Sequence, residues 1–152
     1  MPRVFKTNLL LILFALFSAP THAQSSLSKY SQVFVNVCLQ HAPTLNEAAI
    51  AQSTRQERFE SDNILAGAGV AVRNGQSCNL RIGGAGTRFP APSDAEVQSL
   101  AVWYAKRVGG TVKRKKSAIG GAVWYEVRVG RKKYGVSAEV TRGTLSYWVS
   151  KR

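Results

Sequence analysis

The chain has 152 residues, is 45% hydrophobic and carries a formal net charge of +13. That length and apolar content fit one ordinary domain with a real core and exclude a disordered chain. A pI near 10.4 points towards anionic partners.

Residues 1–23 read as a cleavable export signal. Arg3 and Lys6 form a positive start, and Leu9 to Phe17 is an apolar run too short to span a bilayer. Thr21-His22-Ala23 places small residues at the −3 and −1 positions of a cleavage site before Gln24. No cysteine stands at that site to take a lipid anchor. Of the 152 residues, 129 then remain as a single domain, 24–152, expected in the periplasm or secreted. No later apolar stretch approaches the length of a transmembrane helix.

From Leu27, the residues Tyr30, Val33, Phe34, Val37 and Cys38 recur at helical spacing. Ser26 or Ser28 caps the start and Pro43 ends the helix. A second helix is expected from Thr44, with Glu47 completing a capping box, Leu45, Ala48 and Ala49 facing inward, and an end near Ser61. Its Glu57, Glu60 and Asp62 lie beside Arg55 and Arg58, a pattern of ion pairing on an exposed face rather than of facing catalytic carboxylates.

Asn74-Gly75 predicts a hairpin between 70–73 and 77–82, with Cys78, Leu80 and Ile82 on one strand face. Gly83 to Arg88 is rich in glycine but lacks the Lys-Ser/Thr signature of a phosphate loop. Ser93-Asp94-Ala95-Glu96 reads as a capping box opening a third helix. Val97, Leu100, Ala101, Tyr104 and Val108 form its stripe, and Gly109-Gly110 stop it. Four alternating segments follow, 111–117, 122–129, 133–140 and 144–149, separated by glycine turns. This order predicts an α+β fold: helices packed on one face of a twisted antiparallel sheet, ending in a four-strand meander. It is similar in element order to cystatin-like and nuclear-transport-factor-like rolls, a likeness that carries no function.

Cys38 and Cys78 are an even pair in an exported chain and predict a disulfide between first helix and hairpin. The alternative is a thiol-dependent enzyme using Cys38 with His41, one helical turn away. His41 is the single histidine after signal removal, so no histidine cluster is available for a metal, and no cofactor motif is present.

Charge is uneven. Residues 24–105 hold six cations and six acids, whereas 106–152 hold thirteen Lys and Arg against Glu126 and Glu139. Strand alternation places Tyr125, Val127, Tyr134, Val136, Leu145, Tyr147 and Val149 inward. Trp124, Glu126, Arg128, Lys133, Ser137, Glu139, Ser146 and Trp148 then point outward, with Lys113 and Lys115 joining them. The candidate site is Lys113, Lys115, Lys116, Trp124, Arg128, Arg131, Lys132, Lys133 and Trp148. Aromatic rings offer stacking and the cations meet phosphates or carboxylates. Three readings stay open: a docking platform, a solvated rim that protects strand edges, and a protein–protein interface. The expected function is a small exported binding or accessory protein for an anionic macromolecule or acidic protein. An inhibitor that plugs an acidic site is the other binding alternative.

Overall fold

The computed structural model describes residues 27–60, 68–83, 88–116 and 123–152, with main chain alone at 58–60. The export signal, Asp62 and most of the glycine-rich 83–88 run lie outside the described residues. Helices α1 (Lys29–Val37), α2 (Glu47–Glu60) and α3 (Asp94–Val108) accompany strands β1 (Gly69–Arg73), β2 (Ser77–Ile82), β3 (Thr111–Lys116), β4 (Val123–Val129), β5 (Lys132–Thr141) and β6 (Thr144–Lys151). The strands form one antiparallel sheet in the order β1-β2-β6-β5-β4-β3. The α+β architecture expected from the sequence is the one observed, and the terminal meander joins the first hairpin through β2 and β6.

The helices cover the sheet face that alternation places inward. Phe34 of α1 stacks on Tyr147 with ring centroids 5.3 Å apart, and Tyr104 of α3 meets Tyr134 edge-on at 5.6 Å. Val127, Val136, Val149 and Leu80 fill the layer between them, each fully buried. Removing that much aliphatic and aromatic surface from water is the main stabilising term. Cys38, just past α1, is bonded to Cys78 of β2, with Cα atoms 5.7 Å apart. Among the described residues no helix is long and apolar enough to cross a membrane.

Two helix boundaries differ from expectation. Regular α1 stops at Val37, and a short 3-10 turn, Leu39–His41, carries the chain to the cis Ala42–Pro43 bond. Thr44 does not cap α2; its hydroxyl donates to the His41 carbonyl, and Asn46 Oδ1 accepts from Ala49 N instead. The intervening Leu45 is fully buried and takes a positive φ, so the chain turns once more before the helix starts. The inner face of α2 then runs through Ile50 and Glu57, while Ala48 is exposed.

The hairpin turn spans Asn74 to Gln76, because Arg73 pairs with Ser77. Gly75 supplies the positive φ and its N–H donates to the Leu45 carbonyl, while Asn74 Oδ1 accepts from Glu47 N. The turn thereby holds the start of α2 against the sheet.

Candidate anion-binding face of the sheet

The face opposite the helices is defined by register. Across it Lys115 pairs with Trp124, while Ser137, Trp148, Asn79 and Ala71 form a row; the next row reads Lys113, Glu126, Gly135, Ser150, Ser77 and Arg73. Arg128 faces Lys133, and Arg81 lies in line with Ser146 and Glu139. Trp124 and Trp148 stand two strands apart, roughly 10 Å at ordinary strand spacing.

Of the site residues expected from sequence, Lys113, Lys115, Trp124, Arg128, Lys133 and Trp148 share this face. Lys116 and Lys132 do not. They pair with Val123 and Val129, whose side chains pack on the core, so both belong to the helix-side face. Arg131 sits in the β4–β5 turn, at the rim. Alternation itself forces this split: adjacent residues of a strand point to opposite sides.

Three cations on this face escaped the sequence reading. Arg73 and Arg81 arrive with the first hairpin, because β2 pairs with β6 rather than standing apart. Arg152 follows β6; its N–H donates to the Lys133 carbonyl at 2.8 Å, and its guanidinium lies 4.8 Å over the Trp124 ring. Trp124 therefore already carries a cation over its ring rather than standing bare. No pattern in the sequence announces that contact. Gly135, directly beneath, permits it.

Among the described residues, seven cations thus stand on one face against Glu126 and Glu139. Glu126 is only 6% exposed and bonds Arg128 at 3.1 Å. Burial works to raise its carboxyl, but the Arg128 hydrogen bond and the charges of Lys115, Lys133 and Arg128 outweigh it and hold the group below the usual carboxylate range. The face keeps a positive excess at neutral pH.

The thiol constellation is absent. Cys38 and Cys78 are bonded to each other and fully buried, so neither supplies a thiolate. His41 lies 2.8 Å from Ser53 Oγ of α2 through Nε2, beside a polar cleft of about 170 Å³ lined by Asn36, Gln40, Ser53, Gln56 and Glu57. Burial, then the charge of Arg107, lowers the His41 pKa. Glu57, expected on an exposed face, is instead buried on the inner side of α2, where it accepts from Asn36. Among the described residues, no three His, Cys, Asp or Glu side chains gather as metal ligands would.

Comparison with protein families, curated proteins and solved structures finds no match to this chain.

Proposed function

We propose that this chain is a small exported protein, with residues 1–23 removed as its signal, that docks an anionic macromolecule on the outer face of its sheet. One observation carries the reading: among the described residues, Arg73, Arg81, Lys113, Lys115, Arg128, Lys133 and Arg152 share a face with two side-chain carboxylates, and the described helices pack on the other side. A flat positive face attracts a polyanion at long range and gains free energy by releasing its counterions. Trp148, half-buried between Ser137 and Asn79, adds a surface on which a planar group can rest. The disulfide, stable only where thiols are oxidised, favours an exported location.

The test is affinity for a short single-stranded oligonucleotide, used as a defined polyanion, between low and high salt. Log affinity should fall linearly with log salt. Replacing Lys113, Lys115 and Lys133 together by Gln should reduce the slope by roughly 2, at about 0.7 per contact for a single strand. A flat salt dependence overturns the reading. The export signal is checked by sequencing the amino terminus of the mature protein, expected at Gln24.

A further inference from the structure

Within that face the geometry points to a specific subsite: Arg152, its guanidinium placed over the Trp124 ring and against Gly135, captures a phosphoryl group. The inference rests on the docking reading above and names the chemistry at its centre.

A guanidinium on a free side chain samples many directions. Here two contacts fix it. The Arg152 main chain is tied to β5 through the Lys133 carbonyl, and the side chain reaches over the Trp124 ring, 4.8 Å from its centroid. A guanidinium placed over an aromatic ring can still present two N–H donors side by side to a pair of oxygens.

Gly135 is the enabling residue. Glycine inside a strand weakens it, and one in the middle of β5 signals that something approaches the backbone closely. A Cβ at 135 would stand 2.9 Å from Arg152 Nε, 3.4 Å from its Nη2 and 3.5 Å from Trp124 Cε3. The clamp is built around the missing side chain.

Among the described residues the guanidinium forms no ion pair. Among the described residues the ion pairs are Arg114 with Asp94 and Arg128 with Glu126. Glu126, across from Gly135, is the acid nearest by register, and Arg128 holds it while it stays outside ion-pair distance of Arg152. Lys115 beside Trp124, and Lys133 in the strand to which Arg152 is tied, add positive charge around the fork. A doubly charged phosphoryl group gains more from such surroundings than a carboxylate, and it has a third oxygen to offer the lysines.

The experiment titrates the mature protein with inorganic phosphate, with polyphosphate and with acetate, reading tryptophan fluorescence and the Arg152 Nε–H resonance. Saturable phosphate binding that shifts the Arg152 signal is expected, with acetate at least 10-fold weaker. Arg152→Lys keeps the charge but loses the planar fork, and Gly135→Ala keeps both charges but lifts the guanidinium off the ring. Each should weaken phosphate binding by 5-fold or more. Polyphosphate binding much tighter than inorganic phosphate identifies a polymer-borne group as the ligand; equal affinity per phosphoryl group identifies the free ion. Phosphate affinity unchanged in Arg152→Lys, whether or not Gly135→Ala folds, overturns the subsite, and so does acetate binding as tightly as phosphate. A lost salt dependence in wild type would instead sink the docking reading itself.

Discussion

The Glu96 carboxylate, in the first turn of α3, accepts the hydroxyl of Ser31 from α1, a residue with no exposed surface. The same oxygen accepts the Ser28 hydroxyl, and Tyr147 Oη lies 3.4 Å from Ser31 Oγ. The carboxylate therefore joins the starts of two helices above the sheet. A hydrogen bond to a charged group contributes about 1.5–3 kcal/mol, and leaving its buried donors unpaired costs a similar amount. Glu96→Ala should destabilise by about 2–3 kcal/mol and Ser31→Ala by about 1–2 kcal/mol in urea unfolding. Because the two share one interaction, the double variant should lose less than the sum. Strict additivity would show that the bond contributes nothing.

That contact also marks where local reading stops. Ser93 caps α3 as its spacing implies, with Oγ accepting from Glu96 N at 3.1 Å, but the Glu96 side chain turns to α1 instead of back to Ser93. The cap, the Asn74-Gly75 turn and the alternation of β3 to β6 depend on neighbours in sequence, so they were legible. The pairing of β2 with β6 depends on packing between segments about seventy residues apart, as in Leu80 against Tyr147. It decides that Arg73 and Arg81 belong to the charged face. The polar inner side of α2 was equally hidden, since burial of Glu57 needs Asn36 of another helix to receive it.

The Cys38–Cys78 bond closes a loop with a sequence separation of 40. On the loop-entropy account such a closure stabilises by about 4 kcal/mol. Replacing both cysteines by alanine should lower the melting temperature by roughly 10–20 °C for a domain of this size. Thiol titration of the denatured, unreduced protein should find no free thiol, and two after reduction. Two free thiols before reduction would contradict the bond.

His41 responds to acid. Burial and then the Arg107 charge hold its pKa below 6.5 in the folded chain, whereas the unfolded chain titrates near that value. The unfolded state therefore binds the proton first. Stability is full above the unfolded pKa and declines as pH falls through 6.5 towards the folded pKa. Arg107→Gln should move the His41 imidazole titration part of the way back up, because burial remains. An NMR titration of the ring protons checks this, and an unmoved pKa in the variant would remove Arg107 as a cause.

Glu126 works in the opposite sense. Its carboxyl titrates below 4.5, since the Arg128 hydrogen bond and the Lys115 and Lys133 charges overcome the upward push of burial. A depressed carboxylate pKa contributes stability above the unfolded value and loses it as pH falls through the folded one, so this contribution disappears below about pH 4.5. Arg128→Gln should raise the Glu126 pKa, leaving burial less opposed and the two lysines still pulling down. Arg128 itself is 52% exposed, so the pair is screened and the loss at neutral pH should stay under about 1 kcal/mol. The Glu126 carboxyl carbon shift followed against pH reads the change directly. High salt should raise the wild-type pKa in the same direction, because ions screen the lysine charges while the short Arg128 contact persists. A Glu126 pKa that ignored both the variant and the salt would mean that the cations of this face do not act on the carboxylate among them.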